Sequence, residues 1–140
     1  MNAEEWLLSA RGINEEIKEL ESSYRRALER ATNVTAAPMG ERVMYTPKNT
    51  SEEKMVEASE YAMLIAQSLN QKKQLRKDVF KAIDEVHNST LRRLLRLYYI
   101  EGLSWERVAE EMGMSDKHVR GTLKERAILR IEKIRERLAL

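Results

Sequence analysis

Trp105-Glu106-Arg107-Val108-Ala109-Glu110-Glu111-Met112-Gly113-Met114-Ser115-Asp116-Lys117-His118-Val119-Arg120-Gly121-Thr122-Leu123-Lys124 is the stretch on which the reading of this chain turns. Ser104, just before it, is a good N-cap for a short helix over Trp105–Met112. Gly113 stands where a helix that ends in a left-handed residue wants glycine. Ser115 can cap a second helix, with Asp116 at its positive end. Val108, Met112, Met114 and Val119 fall at apolar positions, and Leu123 closes the core one turn on. Ala109 stands where two helices cross at close range and a side chain must be small. Met in register, these requirements describe a twenty-residue helix-turn-helix that starts at Trp105.

Two helices joined by Met112-Gly113-Met114-Ser115 could also be a plain corner in a bundle. That reading explains the apolar positions and leaves the outward ones unexplained. Lys117, His118, Arg120 and Lys124 cluster on the exposed part of the second helix, and phosphates and guanine edges call for these residue types. Arg120 or Lys117 would reach guanine O6 and N7, and Lys124 a phosphate. Ser115 and the free amides of Asp116 to His118 could hold another phosphate. Asp116 could accept from cytosine N4 or simply cap. Gly121 costs about 1 kcal/mol in a helix interior. It either lets the backbone approach a base closely or is tolerated drift at an exposed site.

Upstream, Asn88, Ser89 and Thr90 can end one helix and cap the next. Leu91, Leu94, Leu95, Tyr98 and Tyr99 line the apolar side of a short helix over Leu91–Ile100, which Gly102 stops. Tyr98, Tyr99 and Trp105 read as core rather than as base-stacking platforms. Downstream, the second helix of the motif can run from Asp116 to about Arg137. The expected DNA-binding domain is therefore residues 88–140.

The first 87 residues read as a helical arm. Trp6, Ala10, Ile13, Ile17, Leu20, Tyr24, Ala27 and Ala31 recur at spacings of four and three, a heptad pattern that predicts one helix over Ala3–Ala31 with Gly12 as its weak spot. Thr32–Thr50 contains Pro38, Gly40 and Pro47 and no periodicity, so residues 32–50 read as a loop, with an extended piece at Arg42–Tyr45. A second long helix is expected from a Ser51 cap to Val86. Its run Ala62-Met63-Leu64-Ile65-Ala66 is apolar all round, which one packed face does not require. The expected arm is a long antiparallel, coiled-coil-like hairpin, and the all-round apolar run points to pairing of two hairpins in a homodimer or higher oligomer.

Composition supports an all-α class and narrows the function. The chain has 140 residues, 34% of them charged, with five glycines and two prolines, and is rich in strong helix formers. Its net charge of +2 hides a gradient: Ser89–Leu140 carries twelve Lys/Arg against eight Asp/Glu. A basic C-terminal third fits a polyanion partner. With no cysteine and only two histidines far apart, His87 and His118, no metal site is expected. There is no glycine-rich phosphate loop and no readable Ser/His/Asp set, so neither a cofactor nor enzymatic activity is expected. No apolar run approaches the roughly 20 residues of a membrane span, and Met1–Trp6 lacks the apolar stretch of a signal peptide. A cytoplasmic location is the expectation.

Leu97-Tyr98-Tyr99-Ile100-Glu101-Gly102-Leu103-Ser104-Trp105 through Ser115 resembles region 4 of sigma-70-type factors, and Val119-Arg120-Gly121-Thr122-Leu123-Lys124-Glu125-Arg126-Ala127 resembles its recognition helix. The order of helix, irregular loop, long helix and helix-turn-helix is similar to phage and prophage regulators of the RinA/ArpU type. The strong motif covers about residues 91–130, and the N-terminal likeness is one of layout. The resemblance implies transcriptional regulation, with promoter DNA as partner and RNA polymerase as a further one. Carried over, Ser115, Asp116, Lys117, His118, Arg120, Gly121 and Lys124 take reading or phosphate positions. Two departures stand out: region 2, which melts a −10 element, has no counterpart, and Gly121 replaces a more usual polar residue. The alternatives are an interaction protein that docks on RNA polymerase through the arm, or a DNA-packaging subunit like a phage small terminase.

Overall fold

In the computed structural model, residues 1–33 and 48–140 are described, with side chains for 1–32 and 52–140. Among the described residues every regular element is helical and there is no strand. The elements are α1 (Ala3–Ala10), α2 (Ile13–Asn33), α3 (Lys48–Asp84), α4 (Ser89–Leu95), α5 (Trp105–Met112), α6 (Asp116–His118) and α7 (Lys124–Leu138). A wide π-helical turn follows α4 over Arg96–Ile100, and another joins α6 to α7 over Val119–Leu123. The described chain falls into two compact units, residues 1–14 with 73–140, and residues 15–72.

The single helix expected over Ala3–Ala31 is two helices. Asn2 caps α1 by accepting from the Glu5 amide at 2.8 Å. Arg11 is extended and Gly12 takes a φ of 77°, a region that costs an L side chain about 1–2 kcal/mol and glycine almost nothing. Tertiary contacts favour the break over the heptad. The Arg11 guanidinium donates to the carbonyl oxygens of Tyr98, Gly102 and Leu103 at 3.2, 3.2 and 2.9 Å. It also lies 4.1 Å over the Tyr98 ring. Meanwhile Ala3, Trp6, Leu7 and Ala10 are buried in one core with Val79, Ile83, Leu94, Leu95, Tyr99, Val108, Val119, Ala127 and Ile131. The expected division at residue 87 therefore differs from the compact units: α1 and the last turns of α3 help to build the C-terminal core.

The second unit has a thinner core. Ala27, Ala62 and Ile65 pack together with Leu20 and Tyr24 against them, and Ile17 and Leu69 are buried as well. Contacts step backward along α3 as they step forward along α2: Ala27 clusters with Ala62, and Glu16 pairs with Lys72 at 2.9 Å. The two helices run in opposite directions within this unit. α3 starts at Lys48, one turn before the Ser51 cap that its sequence suggested. Nothing in Lys48, Asn49 or Thr50 bars helical dihedrals. The remainder of the expected loop, including Arg42–Tyr45, lies outside the described residues.

Candidate nucleic-acid interface

The local signals of the 105–124 stretch are realised one by one. Ser104 is extended and its hydroxyl accepts from the Arg107 amide at 3.2 Å, which starts α5. Gly113 takes a φ of 66°. Its amide donates to the Glu110 carbonyl at 3.2 Å and the Met114 amide donates to Ala109 at 3.0 Å, the paired bonds that close a helix end around a left-handed residue. Ser115 is again extended, and its hydroxyl accepts from the His118 amide at 3.2 Å. Val108, Ala109, Val119 and Leu123 are buried as expected. Met114 is a correction: it is 38% exposed, because the reversal at Gly113 turns it away from the core.

The helix entered at Asp116 is continuous to Leu138, but its second turn is wide. The apolar residues Val119, Leu123, Ala127 and Ile131 are four apart. In a regular helix each such step drifts by about 40°, so the stripe would leave the core. A π turn, with its i to i+5 bonds, absorbs part of that drift, and all four stay buried. The spacing was legible in the sequence, although a regular helix was the simpler reading.

The expected site residues divide into two groups. Lys117, His118 and Arg120 are exposed together on the outer side of this helix start, with Ser115 exposed and Asp116 and Gly121 half-buried beside them. Arg120 is held in place: its guanidinium lies 3.0 Å from the Asp116 carboxylate and 3.8 Å from that of Glu106. The Ser115 hydroxyl is already engaged as a cap. Gly121 has open space where a Cβ would point, with nothing within 4 Å.

Lys124 is in a different situation. It is 27% exposed and its ammonium lies 2.9 Å from the Glu4 carboxylate of α1. It also lies 5.9 Å from the Trp105 ring, and that ring stacks on Tyr98 at 3.8 Å between centroids. Arg11 on the far side of Tyr98 completes a column that ties α1 to α5 and α7. Tyr98 and Trp105 are half-buried within this column, and Tyr99 is fully buried. Glu4 and Arg11 escaped the sequence reading because their partners lie more than eighty residues away, with no local signal.

The sequence reading also passed over a groove of about 500 Å³ beside the motif. Leu91 and Leu123 lie among its lining, together with Arg126, Arg130 and Lys133, and no carboxylate lines it. These three cations recur at four and three along α7, which puts them on one face. Among the described residues there is no cluster of His, Asp and Glu that could hold a metal ion. Nor is any helix among them long and apolar enough to cross a membrane. No protein-family model, no curated protein and no solved structure matches this chain.

Proposed function

We propose that this chain is a sequence-specific DNA-binding transcriptional regulator. Its α5–turn–α6 segment would act as a helix-turn-helix of the sigma-70 region 4 kind, and residues 15–72 as a hairpin arm that brings copies together. One observation carries the reading. Lys117, His118 and Arg120 are exposed side by side at the start of a helix whose opposite side, Val119 and Leu123, is sealed in the core. A rigid helix start that offers two cations and an imidazole to solvent matches the needs of the major groove. The carboxylate-free groove with Arg126, Arg130 and Lys133 adds a surface suited to flanking phosphates. The Asp116 carboxylate holds the Arg120 fork in one orientation, as a base-reading guanidinium requires. Lys124 enters this picture as a support for the helix, since it is bound to Glu4.

The sequence resemblance to phage regulators of the RinA/ArpU type supports a reading in which the chain acts at promoters, with RNA polymerase as a further proposed partner. The test is a binding selection from random duplexes with the purified chain at moderate salt. One enriched motif is expected, and affinity for it should fall steeply as salt rises because phosphate contacts release counterions. Arg120→Ala should cost about 1–3 kcal/mol at one base position. An equal loss on every sequence would restrict Arg120 to the backbone. A selection that enriches no sequence would overturn the proposal.

A further inference from the structure

Two of the cations expected at the interface are paired, and the pairs differ in kind. Arg120 is held by Asp116, one turn back on its own helix, so its partner travels with it towards any ligand. Lys124 is held at 2.9 Å by Glu4, which belongs to α1. Burial fixes α1 in place. Ala3, Leu7 and Ala10 on either side of Glu4 are in the core, and Arg11 ties the end of the helix to the carbonyls of Tyr98, Gly102 and Leu103. α1 cannot carry Glu4 away from Lys124 without opening that core. The pair itself lies at the surface, with side chains 42% and 27% exposed for Glu4 and Lys124, so a ligand can reach it. The start of α1 does not depend on Glu4, because Asn2 supplies the cap and Glu5 also places a carboxylate in the first turn, where the helix dipole favours it. What Glu4 adds is the neutralisation of Lys124.

We infer that Glu4 is a specificity-determining residue, which withholds Lys124 from the DNA backbone and so limits sequence-independent binding. The inference rests on the reading of the Asp116–Leu123 helix start as the surface that meets DNA. A lysine ammonium is a compact charge on a flexible stem, and the phosphates it would meet are the same in every sequence. A contact of that kind strengthens binding to all duplexes alike and adds nothing to the difference between them, which is what specificity is. With Lys124 bound to Glu4, discrimination is left to Lys117, His118 and Arg120. A phosphate could take Lys124 only by displacing a carboxylate that α1 keeps beside it, and the two anions would then face each other. The Trp105 ring, 5.9 Å from the ammonium, further favours the position next to α1. An exposed ion pair contributes little to stability, so the fold does not need this one, and its consequence lies in binding.

The salt dependence of binding to a random-sequence duplex tests the inference on the full chain. The slope of log affinity against log salt counts the phosphates that are neutralised, at about 0.9 for each. Glu4→Gln keeps the side chain's size and removes its charge. This variant should bind the random duplex more tightly at low salt and steepen the slope by about 0.9. Between about 50 and about 200 mM salt it should lose about threefold more affinity than the unchanged chain. Its preference for a selected motif over the random duplex should shrink. Glu5→Gln makes the same change in net charge one residue away and should leave the slope as it is. Glu4→Gln combined with Lys124→Gln restores the net charge and should return the slope to that of the unchanged chain. An unchanged slope for Glu4→Gln, an equal rise for Glu5→Gln, or a rise that survives Lys124→Gln would each overturn the inference and leave the DNA-binding reading standing. So would a Glu4→Gln chain that is unfolded at the binding temperature, which would make Glu4 an anchor of the fold. Absence of binding to any duplex would end both readings. A steeper slope without an enriched motif would end the sequence-specific reading alone.

Discussion

Two single residues show how local chemistry and packing part company. The Tyr99 hydroxyl is buried with no hydrogen-bond partner among the described residues, and an unsatisfied buried group costs about 1–3 kcal/mol. Burial above all, and then the Glu4 carboxylate and the neighbouring Tyr98, push its pKa up, against a smaller pull from Arg11. The folded state therefore holds the phenol proton more tightly than the unfolded chain. The fold's stability is therefore independent of this proton below the ordinary tyrosine range near 10 and falls as pH rises above it. Tyr99→Phe should raise stability by about 1 kcal/mol and flatten the alkaline part of the pH–stability curve. A loss of stability in urea melts would show that the hydroxyl has a partner after all. At Gly121 a methyl group meets open space, so Gly121→Ala should stabilise the fold by up to about 1 kcal/mol. The same variant decides between the two readings of this glycine. Under the proposed function, weaker DNA binding from a more stable protein means that the backbone approaches the duplex there. Unchanged binding means drift.

At the scale of elements, α1 is the clearest departure from the pattern in the sequence. Its heptad positions continue into α2, yet Gly12 ends the helix and Trp6, Leu7 and Ala10 are buried against α7 and the turn after α4. Leu7 is fully buried, and Leu7→Ala should cost about 2–5 kcal/mol. Both tryptophans, Trp6 and Trp105, belong to the same unit, so denaturation followed by their fluorescence reads this loss directly. An unchanged midpoint would mean that α1 is an accessory to the C-terminal core. The wide turn over Val119–Leu123 has a similar origin. A four-residue spacing of apolar side chains and a requirement to bury all of them leave an expanded turn as the solution.

For the whole molecule, the two compact units differ in what holds them. Residues 15–72 bury Ile17, Ala27, Ala62, Ile65 and Leu69, two of them alanines that contribute little apolar area. The other unit buries a tyrosine, several leucines and isoleucines, and the α1 face. Local opening should therefore be easier in residues 15–72. Hydrogen exchange followed by mass spectrometry should show faster exchange there than in the other unit. Equal protection in both units would contradict the ranking.

The sequence alone determined what depends on near neighbours. The helical class follows from composition. The caps at Ser104 and Ser115, the reversal at Gly113 and the burial of Val108, Ala109, Val119 and Leu123 follow from spacing, because a cap or a helix face involves residues within a few positions of each other. That Ser115, Asp116, Lys117, His118, Arg120 and Gly121 gather at one helix start was legible for the same reason. Only the tertiary structure decided that α1 breaks from α2 and that Lys124 is bound to Glu4. It also decided that Met114 faces solvent and that Arg126, Arg130 and Lys133 share a groove with Leu91. Each of these rests on a contact between distant segments, where burial in a shared core or an ion pair across the fold overrides a periodic pattern that is locally correct.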